Sequence, residues 1–172
     1  MCIRDSGKPD VLVGQFEIPM NVNEQVFSYA YKNGVETVLN PAPANKPSDI
    51  LLQNTSWFIP NEIEFEEIYG DIFNENNLLL FAKNVDTNVV VTLGEKGCAY
   101  IENNSVKIIK ADSVKAIDTT GAGDAFVGAF SFALASKLDI EECLKLALKK
   151  ATVSVTKKGT QSSYKNLSLI HI

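Results

Sequence analysis

The residues of this chain best suited to chemistry stand in one run, DTTGAGDAFVGAFSFALA, at positions 118–135. Gly121, Ala122 and Gly123 come directly before Asp124 and a long apolar segment with helical spacing. The first N–H groups of a helix have no partner within it, and the helix dipole makes that end partly positive. Residues with little or no side chain let an anion approach these groups closely. The pattern therefore favours a phosphate-binding turn.

Asp124 suggests a role different from that of its neighbours. A carboxylate is a poor anion ligand, but one turn into the helix it is well placed to take the proton from an alcohol that attacks phosphorus. Phosphoryl transfer spreads negative charge over the phosphoryl oxygens, and peptide N–H groups stabilise that charge. The alternative is an ordinary tight turn into a helix with an acidic first turn. The usual P-loop pattern, GxxxxGK[ST], does not occur in the sequence.

Composition narrows the class of protein. The chain has 172 residues, of which 45% are hydrophobic and 22% charged, and its net charge is -5. That charge argues against a nucleic-acid surface, and no stretch reaches the roughly 18 to 20 apolar residues that span a membrane. Cys2, Cys98 and Cys143 are too far apart to suggest a metal site and are odd in number. We therefore expect a cytoplasmic protein with reduced cysteines that binds neither nucleic acid nor membranes.

The two ends of the chain differ in character from the rest. Codons exist for MCIRDS, residues 1–6, and LSLIHI, residues 167–172, that make the two coding strings reverse complements. Those strings also resemble a transposon end used as a sequencing adapter, although two unrelated short termini are the simpler alternative. We expect both ends to be non-native and the natural sequence to cover about residues 7–166. The single histidine, His171, lies in the second end, so a histidine-based catalyst is not supported.

Strands alternate with helices along the sequence. The patterns predict strands over 10–16, 35–39, 57–59 and 88–92, a hairpin of 98–102 and 106–109 that turns at Asn103–Asn104, and helices over 22–33, 63–69, 75–85, 122–136 and 140–156. The first strand is short and β-branched, which favours a buried position. The alternation predicts an α/β fold with a layered, mostly parallel sheet flanked by helices.

Several further motifs occur in one order along the chain. They are GQFE at 14–17, LNPAPA at 39–44, PNEIE at 60–64, TLGEKG at 92–97 and KGTQSS at 158–163, with DTTGAGDAF between the last two. Together they resemble the ribokinase family of carbohydrate kinases, also named for a minor phosphofructokinase, over about residues 10–164. The resemblance implies the C-terminal part of a ribokinase-like fold, with the nucleotide site and the anion hole.

The same resemblance implies an activity and its cofactors. The expected reaction is ATP-dependent phosphorylation of the 5-hydroxyl of D-ribose, with Mg²⁺ and K⁺. Asp124 is then the catalytic base, next to an anion hole formed by Gly121, Ala122 and Gly123. Glu17 and Asp124 are the implied sugar contacts.

Further roles follow from the resemblance alone. Asn61 and Glu64 are expected to hold magnesium and the nucleotide phosphates, often through water. Thr92, Gly94, Gly97 and Gly123 are expected to line the nucleotide site. The expected potassium site, partly through backbone carbonyls, consists of Asp118, Thr120, Ser154, Lys157, Gly159 and Ser163.

Plainer interpretations stay open for several of these residues. Asn61 is also a good helix N-cap, with Glu64 at the reciprocal capping position. Gly94 and Gly97 also suit a turn between strands, and Glu17 suits a solvated loop. Leu148 stands where the family usually has a small polar residue near adenine, which puts adenine contacts there in doubt.

Other functions are also compatible with the sequence. The activity of a fructokinase-, deoxyribokinase- or adenosine kinase-like enzyme is one alternative, and a non-catalytic nucleotide-binding protein on this fold is another. The family's upstream half, which supplies most sugar contacts, a lid and the dimer interface, is not visible in the sequence. We therefore expect weak or no turnover from this chain alone and a homodimer for the full-length protein.

Overall fold

The structure, a computed structural model, describes residues 8–160 and residue 163. The strands are β1 (Val11–Gln15), β2 (Glu36–Asn40), β3 (Trp57–Phe58), β4 (Asn88–Thr92), β5 (Cys98–Glu102) and β6 (Ser105–Ile109). The helices are α1 (Met20–Lys32), α2 (Asp49–Gln53), α3 (Glu62–Tyr69), α4 (Glu75–Val85), α5 (Ala122–Ala135) and α6 (Ile140–Ser154). Of these helices only the short α2 was not predicted from the sequence. The suspected non-native ends lie outside the described residues.

The strands form one sheet in the order β1-β2-β3-β4-β5-β6. The pairs from β1 to β4 are parallel, with Val13 opposite Val38 and Phe58 opposite Val89. β5 and β6 follow each other through Asn103 and Asn104, which have φ of 50° and 58°. Asparagine tolerates this left-handed conformation, which two-residue hairpins require. The predicted α/β fold with a mostly parallel sheet is confirmed.

The prediction that the first strand is buried is wrong. β1 pairs with β2 and stands at one end of the strand order, and its Val13 side chain is 45% exposed. Its other face is tightly packed, because a Cβ placed on Gly14 would lie 2.5 Å from Cε2 of Phe27 in α1. Among the described residues no strand pairs with the other side of β1, which accounts for the exposure of Val13, and a β-branched composition does not show how many neighbours a strand has.

The chain divides into two compact units. The first consists of Met1–Leu93 with Ala99–Ile108, and it holds the sheet except for one end residue each of β5 and β6. Its core includes an aromatic cluster in which Phe65 lies 5.4 Å from Phe81 between ring centroids. Each such buried aromatic side chain contributes about 1.5–3 kcal/mol through burial. This core fixes α3, and with it the motif PNEIE.

The second unit consists of Gly94–Cys98 with Ile109–Ile172. Its main structural pair is α5 against α6, which bury apolar side chains against each other, among them Phe126, Phe130, Cys143, Leu144 and Leu148. Burial of one face orients α5 and leaves the opposite face at its start exposed. Within the described part of the chain, no helix is both long and apolar enough to cross a membrane.

Candidate active site

The start of α5 has the geometry that the glycines predict. Gly121 is the N-cap at φ 77° and ψ 6°, a left-handed conformation that favours glycine, and no side chain caps the helix. The Ala122 N–H donates to the Thr119 carbonyl at 3.2 Å, and the Ala125 N–H donates to the Gly121 carbonyl at 2.9 Å. Ala122 is thereby engaged in closing the turn.

Gly123 faces open space. A Cβ at this position would meet no atom within 4 Å, and its φ is not in the left-handed region. Neither packing nor backbone conformation therefore requires glycine here. The hydrogen bonds among the described residues also provide no acceptor for its N–H. Bare backbone at an unblocked helix N-terminus is the arrangement that admits a bound anion.

Asp124 is exposed in the first turn of α5. Buried apolar residues such as Phe126 and Val127 hold the other face of the helix in the core. The carboxylate is therefore on the solvent side, next to the open backbone at Gly123. A base that must meet an incoming alcohol needs this accessibility.

Three of the predicted potassium residues, Asp118, Thr120 and Gly159, are linked by hydrogen bonds between the turn before α5 and the turn after α6. The Asp118 carboxylate accepts the Thr120 N–H through Oδ1 and the Gly159 N–H through Oδ2, both at 3.0 Å. The Gly159 and Thr120 hydrogen bonds lower the pKa of Asp118 to about 2. This carboxylate thus stays ionised and links segments that are far apart in sequence.

The remaining predicted cation residues belong to the same region of the second unit. The Lys157 N–H donates to the Ser154 carbonyl at 3.4 Å, and the Ser163 hydroxyl donates to the Thr160 carbonyl at 2.6 Å. The Val155 carbonyl, which was not among the predicted residues, accepts the N–H groups of Ile117 and Asp118 at 2.8 and 3.2 Å. Every residue has a backbone carbonyl, so the sequence does not indicate that the one at Val155 accepts two N–H groups. Only the structure shows it.

Carboxylate and carbonyl oxygens gathered in this way fit a hard cation such as K⁺ by donor type. Many of these oxygens already accept protein N–H groups. The described residues contain no cluster of three or more His, Cys, Asp or Glu side chains able to hold a metal ion.

The two glycines of TLGEKG differ in what requires them. Gly94 has φ 59° with open space around it, so the backbone conformation alone calls for glycine. A Cβ on Gly97 would lie 1.9 Å from the Ile109 carbonyl oxygen, and its φ is 107°. Packing and backbone conformation therefore both require glycine at position 97, which fits the plainer interpretation of a turn between strands, and its place in the nucleotide site stays a prediction.

In the first unit, Asn61 and Glu64 form a complete capping box at the start of α3. The Asn61 Oδ1 accepts the Glu64 N–H, and the Glu64 Oε2 accepts the Asn61 N–H, each at 2.8 Å. Thr92 at the end of β4 lies beside them, because it forms a parallel bridge with Asn61 and donates its N–H to the Pro60 carbonyl at 3.0 Å. The structure thus brings PNEIE and the start of TLGEKG together.

The capping box leaves capacity for a hydrated cation. Each of its acceptor oxygens takes one protein N–H, whereas a carboxylate has about four acceptor sites and an amide oxygen two. Burial raises the pKa of Glu64, with the Asn61 N–H acting in the opposite direction. Mg²⁺ keeps several water ligands and needs only one or two carboxylates, so this donor set fits it through water.

Glu17 is exposed in the turn after β1. The preceding residue, Phe16, donates its N–H to the Ala42 carbonyl at 2.9 Å, which joins GQFE to LNPAPA. Glu17 follows β1, Asn61 follows β3 and Thr92 ends β4. Because these strands run parallel in one sheet, the three residues lie at the same edge of the sheet, where the strands have their carboxyl ends. Open α/β sheets bind ligands at this edge. We call it the carboxyl edge.

Formal charge is distributed unevenly between the two units. The second unit carries ten Lys and seven Asp or Glu, and the first carries six Lys or Arg and 14 Asp or Glu. The unit with the glycine turn is thus net positive although the chain is net negative. Local positive charge of this kind favours the approach of an anionic ligand.

Comparison with known proteins agrees with this geometry. The model of the pfkB family carbohydrate kinases matches residues 11–167. Ribokinase of Haemophilus influenzae is 40% identical over 173 residues, covering 95% of this chain and 56% of the relative. Deoxyribokinase of Salmonella typhi is 36% identical over 169 residues, covering 95% and 55%. The chain thus spans about half the length of these curated relatives.

Solved structures give the same result. Ribokinase from Thermotoga maritima superposes with a TM-score of 0.82 at 31% identity, over 92% of this chain and 54% of that one. Arabidopsis thaliana ribokinase, solved with ribose and ATP, superposes with a TM-score of 0.84 at 27% identity, over 95% and 56%. With the family model matching most of its length, the chain belongs to the pfkB family of carbohydrate kinases.

Proposed function

We propose that this chain is the C-terminal part, over about residues 7–166, of an ATP-dependent ribokinase that transfers the γ-phosphoryl group to the 5-hydroxyl of D-ribose. The observation that carries the proposal is the start of α5, where Gly123 faces open space beside the exposed Asp124. Most of the relatives described above are ribokinases, which supports ribose as the acceptor.

Each residue has a defined part in the proposed reaction. Asp124 accepts the proton of the attacking hydroxyl. The Gly121–Gly123 turn receives the phosphoryl oxygens as their charge grows, through the open N–H of Gly123 in particular. Glu17 binds the sugar, while Thr92 and Gly94 approach the nucleotide. Gly97 keeps the TLGEKG turn in shape by its contact with Ile109.

Two cations complete the proposal. Asn61 and Glu64 hold hydrated Mg²⁺, which supplies positive charge to the phosphates of ATP. The turn around Asp118, Thr120, Ser154, Lys157, Gly159 and Ser163 takes K⁺, which steadies the backbone just before Gly121. We also propose a cytoplasmic location for the complete protein, supported by the free cysteines Cys98 and Cys143. A homodimer of the complete protein is proposed from the family resemblance alone.

The decisive experiment is ribose-dependent ADP release by the complete protein and its Asp124→Asn variant. General-base catalysis contributes about 10²- to 10⁴-fold, so we expect kcat to fall by that factor with the fold unchanged. Gly128→Ala, on the same helix and away from the turn, serves as the control and should retain the activity. Full turnover by Asp124→Asn would reject Asp124 as the base.

Deoxyribose phosphorylation is the second candidate, because the Salmonella typhi deoxyribokinase covers as much of the chain as the Haemophilus influenzae ribokinase. A panel of D-ribose, 2-deoxyribose, fructose and adenosine separates these activities by kcat/KM. Nucleotide binding without transfer to any of them would instead favour a non-catalytic protein on this fold.

A further inference from the structure

Asn40, the last residue of β2, uses both ends of its side-chain amide. It is only 8% exposed; its Oδ1 accepts from Nε2 of Gln15 and its Nδ2 donates to the Ile59 carbonyl, both at 2.8 Å. The side chain therefore connects the ends of β1, β2 and β3. A buried amide with these partners is costly to disturb, because any variant leaves a buried polar group unpaired.

The connection to Gln15 leads to the predicted sugar contact. Gln15 ends β1, two residues before Glu17, and its carbonyl accepts Nδ2 of the buried Asn23 at 2.7 Å. Since the Phe16 N–H is bound to the Ala42 carbonyl, the backbone leading to Glu17 is held on several sides. The Gln15–Asn40 pair is thus one of the contacts that fix the position of the Glu17 turn, and the one that joins it to β2 through a side chain of β2.

The connection to Ile59 leads to the predicted magnesium and nucleotide residues. The Ile59 N–H donates to the Leu39 carbonyl at 2.8 Å, so Ile59 is held on both its polar groups. Pro60 and Asn61 follow directly, and Asn61 begins α3 with its capping box. The position of this turn thus depends on the Asn40–Ile59 bond.

We propose that Asn40 is a positioning residue that sets the Glu17 turn and the Asn61 turn relative to each other at the carboxyl edge. This proposal rests on the proposed kinase function, because that function assigns Glu17 to the sugar and Asn61 to the nucleotide. Substrate atoms that must meet at bonding distance need such fixed relative positions, and a misplacement of about 1 Å costs about 10²-fold in rate.

The same strand offers a matched control at its other end. Thr37 is fully buried, donates its hydroxyl to the Asn54 carbonyl at 2.7 Å and accepts the Ser56 N–H at 2.8 Å. These partners carry no proposed ligand role. Thr37→Val therefore removes buried hydrogen bonds from β2 without touching the carboxyl edge.

The test compares three variants of the complete protein by KM for ribose, KM for ATP and kcat. Gln15→Met removes the donor to Asn40 and should raise the KM for ribose about tenfold, with less than about twofold change for ATP. Asn40→Asp keeps the acceptor for Gln15 but loses the donor to Ile59, so it should raise the KM for ATP by a similar factor. Thr37→Val should lower the melting temperature and leave both KM values within about twofold.

The positioning role would be overturned by either of two results. One is that Thr37→Val changes the kinetics as much as the other variants do, and the other is that the KM values stay unchanged in Gln15→Met and Asn40→Asp. If the wild-type protein phosphorylates no sugar, the proposed function fails. A measurement that does not depend on activity then tests whether Asn40 positions the two turns. In ¹H–¹⁵N spectra of the 172-residue chain, Asn40→Asp should shift the Asn61 and Glu64 amides, because it removes the donor to the Ile59 carbonyl, and Thr37→Val should not. Unshifted Asn61 and Glu64 amides in Asn40→Asp would contradict the positioning role.

Discussion

At the scale of single residues, glycines in two of the family's motifs are needed for different physical reasons. Gly123 has open space and an ordinary φ, whereas a Cβ on Gly97 would overlap the Ile109 carbonyl. Both looked alike in the sequence, where each was assigned to a ligand site. The distinction depends on which backbone passes close by, and that is set by parts of the chain distant in sequence.

Gly123→Ala is predicted to separate stability from function. Alanine in a helix is favoured over glycine by about 0.5–1 kcal/mol, so the free energy of unfolding should rise slightly or stay the same. The added methyl group should block the approach of phosphoryl oxygens, and activity of the complete protein should fall at least about tenfold. Melting curves and ADP release measure the two effects.

Gly128→Ala is the control for this variant, because Gly128 also lies in α5 with open space around it. It should gain similar stability and keep full activity. Equal activity in Gly123→Ala and Gly128→Ala would contradict a phosphate contact at Gly123.

At the scale of elements, the sequence predicted most helices and strands but not their surroundings. Residues 75–85 and 88–92 were predicted with the bounds that the structure shows. The five-residue α2 was missed because it is too short to show a helical period. β1 was recognised as a strand, but its place at the end of the sheet depends on pairing with distant residues, which local patterns do not contain.

The turn held by Asp118 is predicted to lose its links in strong acid. The Gly159 and Thr120 N–H groups depress the pKa of Asp118 from 3.8 to about 2, so the folded state favours the ionised form. Because the carboxyl pKa is lower in the folded state, ionised Asp118 stabilises the fold fully at a pH above its pKa in the unfolded chain. This stabilisation is lost as the pH falls through its pKa in the folded state. The loss should therefore occur between about pH 3.8 and pH 2.

A carboxyl-carbon NMR titration of Asp118, read together with the Gly159 amide shift, measures this directly. In Asp118→Asn the Gly159 shift should no longer follow the pH in that range. A carboxyl pKa near 4 would show that the two hydrogen bonds do not persist in solution.

Helix α5 also contains a buried hydroxyl group that forms no hydrogen bond with the described residues. Ser131 is 8% exposed, and its Oγ has no hydrogen-bond partner among the described residues. An unpaired buried polar atom costs about 1–3 kcal/mol, and alanine also has the higher helix propensity. Ser131→Ala should therefore raise the free energy of unfolding by about 1 kcal/mol, measured by urea denaturation.

Ser136→Ala provides the comparison, because the Ser136 hydroxyl donates to the Phe132 carbonyl at 2.9 Å in an exposed position. That variant should show little change or a small loss. Destabilisation by Ser131→Ala of more than about 1 kcal/mol would show that the hydroxyl is bonded after all.

At the scale of the whole molecule, the order of the motifs predicted the family and the class of fold. The place of β1 at one end of the strand order was seen only in the structure. The motifs DTTGAGDAF and PNEIE are short and local, so each could be recognised without knowledge of the fold. The amide of Asn40 and the carbonyl of Val155 have partners 19 to 38 residues away in sequence. No pattern of residue types indicates such partners.

The final prediction concerns what the 172-residue chain does alone. It contains the proposed nucleotide and cation residues but spans only about half the length of its curated relatives, so we expect ATP binding without appreciable ribose phosphorylation. ATP at about 100 times its Kd should stabilise the fold by about 2.7 kcal/mol, which raises the melting temperature by about 5–10 °C. Asp124→Asn should keep this shift and Gly123→Ala should reduce it. Absence of any shift in the wild-type chain would contradict the nucleotide assignment, and ribose-dependent ADP release at the rate of the complete protein would show that this half suffices for catalysis.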